Sequence, residues 1–191
     1  MTVKINADTS DGLKLVSDTS GAIDFQSNGT TVASLDSSGN FSHNGIEVDM
    51  WRLTSNVTVD TDPLTNLERV DDASFSKIGT GMTESSGIFT FPRTGVYEIK
   101  VMATMNPVND SDNIVLKTLA TTNNSTYDEI AFAIGSDASM TAFSQNFVNC
   151  TDTSNVKVKF LVNSINAGGN LTGDTNYNGT CFSFIRLGDS Q

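Results

Sequence analysis

The chain of 191 residues carries 11 basic and 22 acidic side chains, a formal charge of −11, and an isoelectric point near 4.2. A surface this acidic repels phosphate backbones, and no run of Lys and Arg relieves it, which argues against nucleic acid as a partner. Hydrophobic residues are 37% and charged ones 17%, while 24 Thr, 22 Ser and 19 Asn fill about a third of the chain, which excludes a coiled coil, a charged tail and, without about 18 consecutive apolar residues, a membrane-spanning helix.

Short β-branched and turn-forming side chains suit many short strands joined by tight turns. The opening MTVKINADTSDG has neither a basic nor an apolar run, so no secretion signal is expected. Residues 1–49 hold few large apolar side chains, chiefly Leu13, Leu15, Ile23, Phe25, Val32, Leu35, Phe41 and Ile46. Several fall in period-two pairs between turn signals, and Asn28-Gly29 and Asn44-Gly45 are turn dipeptides because both residues tolerate positive φ. One copy of such a segment cannot bury a core of its own. Its alternation is not a disorder composition either. The reading is an intertwined β stalk, in which several chains pool thin apolar faces.

From residue 50 the alternation strengthens. The stretch 88–105 predicts two strands around a Pro92–Gly95 turn, with Tyr97, Ile99 and Val101 inward and Val96, Glu98 and Lys100 outward. Further strands are expected over 113–122, 127–135, 140–151, 155–163 and 180–188. In 155–163, Val156, Val158, Phe160 and Val162 face in. The connections 106–113, 121–126 and 164–179 are rich in Asn, Asp, Ser and Gly and read as loops. Helical periodicity is absent beyond a turn or two. The expected fold is an all-β antiparallel sandwich of roughly eight short strands over 50–191, following the stalk of 1–49.

Gly87, Phe89, Pro92, Gly95 and Tyr97, within SGIFTFPRTGVYEIKV, give a G-x-F-x-x-P-x-x-G-x-Y pattern. It resembles the signature of the C1q and tumour necrosis factor superfamily, and the closing TCFSFIRLG is similar to that family's last strand. The resemblance implies a jelly-roll head and a homotrimer. The segment GLKLVSDTSGAIDFQSNGTTVASLDSSGNF resembles stalk segments of bacteriophage fibre proteins, and 50–92 resembles the lead-in to C1q-like heads in cyanophage structural proteins. These likenesses imply a virion protein whose N-terminal region joins other virion proteins. The head would contact host-surface glycan or protein through its loops. A capsid-decorating trimer without ligand and a bacterial C1q-like surface protein are the alternatives, the latter disfavoured because no Gly-x-y repeat precedes the head.

Catalytic chemistry finds little footing. His43 is the one histidine and sits in the turn-like SHNG, so a Ser–His–Asp triad has no second place to form. The acidic pairs Asp60/Asp62, Asp71/Asp72, Asp110/Asp112 and Asp128/Glu129 could serve a glycosidase only if two carboxyls converged in a cleft. No cofactor is expected. The one candidate metal site is calcium at NDSDN 109–113, where Asp110, Asp112 and Asn113 could converge from one loop; a solvated acidic turn is the simpler reading. Trp51 is read as docking at the stalk–head junction or, if exposed, as a glycan-stacking platform. Tyr97, Phe182 and Phe184 are read as core or trimer-axis packing. Cys150 and Cys181 are read as reduced thiols packed in strands.

Overall fold

The computed structural model describes residues 21–43, 45–109, 112–136 and 139–191, which divide into two compact units meeting at residues 44 and 45. The described residues are strands, turns and irregular chain, with no helix long and apolar enough to cross a membrane.

The first unit is an antiparallel meander of β1 (Ile23–Ser27), β2 (Thr30–Leu35) and β3 (Phe41–His43). Asn28 and Gly29, at φ 50° and 76°, form the two-residue turn that their sequence predicts. The next turn is held by Asp36, whose carboxylate accepts from the amides of Ser38 and Asn40 and from the Asn40 side chain at 2.8–2.9 Å. Those bonds, led by the Asn40 side chain, pull the Asp36 carboxyl below its ordinary range. Ile23 pairs with Leu35 and Leu35 with Phe41; Phe25 pairs with Ala33 and Ala33 with His43. Directly opposed residues share a face, so the meander has an apolar side. The other side is polar, with Ser34 hydrogen-bonded to Ser42 and Thr31 to Asp24. His43, expected in a turn, ends β3 and is exposed.

The second unit holds β4 (Val48–Leu53), β5 (Ser55–Val57), β6 (Leu67–Arg69), β7 (Thr83–Ser85), β8 (Ile88–Thr90), β9 (Gly95–Asn106), β10 (Asn113–Thr121), β11 (Asp128–Ser136), β12 (Met140–Cys150), β13 (Lys157–Asn163), β14 (Asn170–Asp174) and β15 (Thr180–Gly188). They form a five-stranded sheet, in the order β11-β10-β13-β8-β7, and a seven-stranded one. In the latter β9 lies between β12 on one side and the run β15-β4-β6 on the other, with β14 and β5 beyond its end. The long strands fall where alternation places them. Twelve described strands exceed the roughly eight expected, because β5, β6, β7 and β14 are short and polar and β4 breaks its alternation with Asp49 and Arg52. β14 lies inside the stretch 164–179 read as loop: NLTGD buries only Leu171 and has no repeated alternation to detect.

Inward residues of the two sheets meet in one aromatic core. Phe89 and Phe160 from the five-stranded sheet pack on Phe182 and Phe184 of β15, with ring centroids 4.1–6.2 Å apart. All four, with Tyr97, Ile99, Val101, Val156, Val158 and Val162, are buried as the alternation requires. Burying each large side chain contributes roughly 1.5–3 kcal/mol.

Trp51 belongs to this core. It is buried on β4, edge-on to Phe89 at 5.4 Å, with its indole N–H donating to Asp49 Oδ2 at 3.0 Å and Arg69 stacked over its outer face at 4.7 Å. A ring so enclosed is no glycan platform.

Candidate functional site

The candidate site is a sheet face built on β4, β15, β9 and β12, and β4 is fixed beneath it by buried carboxylates. Glu47 and Asp49 both point into the protein where alternation alone would place apolar residues. Asp49 accepts from Arg69 Nε at 2.8 Å, from the Trp51 indole, and from the Met82 amide at 2.7 Å. Glu47 pairs with Arg93 Nε at 3.0 Å and accepts from the Gly81 amide at 3.0 Å. The chain at 79–81 comes so near that a Cβ on Gly79, at φ +77°, would lie 2.3 Å from Glu47 Oε2, so glycine is required there. Arg52, also buried, is clamped by Glu68 at 2.8 Å and Asp71 at 2.6 Å. Desolvating such charges is costly, and these bonds offset it. The sequence held no signal for this network beyond an acidic residue breaking an apolar alternation.

Above that floor lies the outward face of the seven-stranded sheet. Register places Phe143 beside Met102, Met102 beside Cys181, and Cys181 beside Arg52. In the next row Gln145 pairs with Lys100, Lys100 with Ser183, and Ser183 with Met50. In the row after, Phe147 pairs with Glu98, Glu98 with Ile185, and Ile185 with Val48. The face is therefore apolar at Val48, Met50, Met102, Phe143, Phe147 and Ile185, with one polar cluster at its centre. Phe143 is 70% exposed and Phe147 55%. The edge continues onto β11, where Phe132 is also 55% exposed. Asn146 donates to the Ile130 carbonyl at 2.6 Å and so ties the edges of the two sheets together. Shallow depressions of about 440 and 410 Å³ flank Gln145, one toward Phe132 and one toward Phe143. Exposed aromatics gathered along one sheet edge in this way suit an interaction surface.

The central cluster is compact. Glu98 Oε1 accepts from the Gln145 amide, and Glu98 Oε2 lies 3.1 Å from Lys100 Nζ. Glu98 is thus held from both sides while Lys100 remains half-exposed. Period-two reading placed Glu98 and Lys100 outward but gave no hint that Gln145 would join them.

The sequence's acidic pairs are structural where described. Asp62 binds Lys159 at 2.6 Å, Asp60 accepts from the Ile165 amide at 2.9 Å, Asp71 holds Arg52, and Glu129 binds Lys117 at 2.7 Å. Asp72 accepts from Ser74, which draws its carboxyl below the ordinary range. In the calcium candidate, Asp110 lies outside the described residues. Asp112 Oδ2 accepts from Asn109 Nδ2 at 3.2 Å in a local turn, while Asn113 begins β10 opposite Ser136. Among the described residues no three His, Cys, Asp or Glu side chains gather as a metal site. Cys150 and Cys181 are free, buried thiols, and burial pushes both up from the usual thiol range, which suits packing rather than reactivity.

No family model matches the chain, and no curated protein does. Solved structures do resemble it. Eiger TNF from S. frugiperda matches with a TM-score of 0.58 at 14% identity, over 77% of this chain and 96% of that one. Murine APRIL at pH 5.0 matches with a TM-score of 0.57 at 13% identity, over 74% and 99%. At that identity the likeness establishes the fold: an all-β jelly roll of the tumour necrosis factor type, as the Gly87–Tyr97 pattern implied.

Proposed function

We propose that the chain is a non-enzymatic structural protein that assembles as a homotrimer and serves as a fibre- or spike-type appendage of a phage virion. The observation that carries the reading is that, among the described residues, a single copy leaves two apolar sheet faces bare. One bears Phe25 and Phe41 in the N-terminal meander, the other Phe143 and Phe147 in the jelly roll. Copies of the same chain cover both at once. The jelly-roll fold supports the threefold count through its family resemblance, and the fibre-like phrases of the N-terminal region support the virion. That region, residues 1–49, is the attachment end toward other virion proteins. The loops 106–113, 121–126 and 164–179 are the surface offered to host glycan or protein.

A decorating role without ligand is the second reading. It is favoured by the loop 121–126, which satisfies itself: Asn123 Oδ1 accepts from the amides of Ser125 and Thr126 at 3.0 and 2.8 Å. Antibody labelling of purified particles tests the virion assignment; unlabelled particles contradict it. Binding of the purified protein to host envelope fractions then selects between fibre and decoration. Retention supports the fibre, and its absence supports decoration.

A further inference from the structure

We infer that the Glu98–Lys100–Gln145 cluster is the registering device of the assembly: each copy's Lys100 meets the Glu98 of the next, and this exchange fixes how the jelly-roll faces dock. The inference rests on the homotrimer reading and goes beyond it by naming the specificity determinant. The occupant of the face is a second copy of this chain, and charge argues for it. A protein of −11 repels its own copies over most of its surface. Here the cluster at the centre of the face carries one carboxylate, Glu98, and one ammonium, Lys100, so it is neutral and can pair with its own copy. An acidic copy can approach here without net repulsion, and a strongly charged foreign partner gains nothing.

Burial makes the cluster decisive. Apolar contact is tolerant of rotation and sliding, whereas a charge covered without a partner is costly. Glu98 already has the Gln145 amide on one oxygen and Lys100 on the other. Lys100 has one carboxylate neighbour, and its remaining N–H donors face the solvent that a docked copy would expel. An arrangement that brings a second carboxylate to Lys100 satisfies it best, and the carboxylate at the same height on an identical face is the neighbour's Glu98. Repeated from copy to copy, the contact closes into a ring of alternating charge. Wrong registers leave ammonium against Phe143 or carboxylate against Phe147. One polar contact in an apolar seam is a known way to specify register and copy number.

The test is charge exchange in the full chain, read by native mass spectrometry, with circular dichroism confirming that each variant keeps its strands. Glu98→Lys and Lys100→Glu singly should each weaken assembly by about tenfold or more, because like charges then meet across every contact. The double variant E98K/K100E should restore the trimer, and an equal mixture of the two single variants should form 2:1 mixed trimers, with one like-charge contact in three, in preference to either single-variant trimer. Trimers undiminished in the single variants would overturn the inference, as would a double variant that stays dissociated. A wild-type chain that is monomeric would instead remove the homotrimer reading beneath it, which keeps the two failures apart.

Discussion

The N-terminal meander and the jelly roll use the same alternating code, yet only one of them completes it. In the jelly roll each inward row finds a second sheet, so Phe160 and Phe182 lie centroid to centroid at 4.1 Å and both are buried. In the meander the row of Ile23, Leu35 and Phe41 has no second sheet over it among the described residues, and Phe41 is 63% exposed. Pattern alone says which side of a sheet is apolar; the number of layers says whether that side is a core or an interface. A three-stranded sheet without a second layer is at best marginal in water. In the proposed homotrimer the described meander would be one wall of a core that other copies complete.

Paired substitutions can break this comparison. Phe160→Ala should cost the jelly roll about 3–5 kcal/mol by leaving a cavity among the rings of Phe89, Phe182 and Phe184. Phe41→Ala should alter the stability of a dissociated chain by no more than about 0.5 kcal/mol, as an exposed position does. Both are read from denaturant melts at low protein concentration, and equal effects would sink the distinction.

Asp49→Asn should cost about 3 kcal/mol, because it strips a buried charge from Arg69 and weakens the hold on the Met82 amide. A neutral outcome would show that the carboxylate floor under β4 is dispensable.

The jelly roll also has an alkaline pH signature, centred on Tyr97. Tyr97 is buried with its hydroxyl donating to the Arg93 carbonyl at 2.9 Å, and burial, aided by the Glu47 carboxylate, pushes its phenol up to about 12 from 10.0. The raised value means that the fold favours the protonated phenol. That contribution is intact below pH 10 and is lost as pH climbs to about 12, amounting to roughly 2–3 kcal/mol. Tyr97→Phe should cost about 1 kcal/mol at neutral pH for the lost hydrogen bond. It should also flatten the alkaline fall in melting temperature relative to wild type. An unchanged alkaline slope would contradict the assignment.

The smallest expected effect is calcium. The local turn at Asn109 and Asp112 predicts no change in melting temperature with calcium. A rise abolished by Asp110→Asn and Asp112→Asn would establish a site there.

How much was legible follows the same division. The long strands β9, β10, β12 and β13 were readable because period-two alternation persists for seven residues or more, and β15 through the likeness of TCFSFIRLG to a jelly roll's last strand. The Gly87–Tyr97 pattern supplied the fold type. β4 was not readable, since VDMWRL buries Asp49 where a hydrophobe is expected, and only the distant Arg69 and Met82 explain why. Trp51 was misplaced for the same reason: its partners Phe89 and Arg69 lie on other strands. The candidate site was half legible. Outward Glu98 and Lys100 followed from alternation, whereas the surrounding Phe143, Phe147 and Met102 become one surface only through cross-strand register, a long-range property that no local window contains.

In the proposed homotrimer the chain covers its apolar faces only as three copies. Sedimentation equilibrium on the full chain at micromolar concentration tests it most directly. The account predicts a particle of three times the 20.4 kDa of one chain. A stable particle of 20.4 kDa, with Phe143 and Phe147 open to solvent, would contradict it.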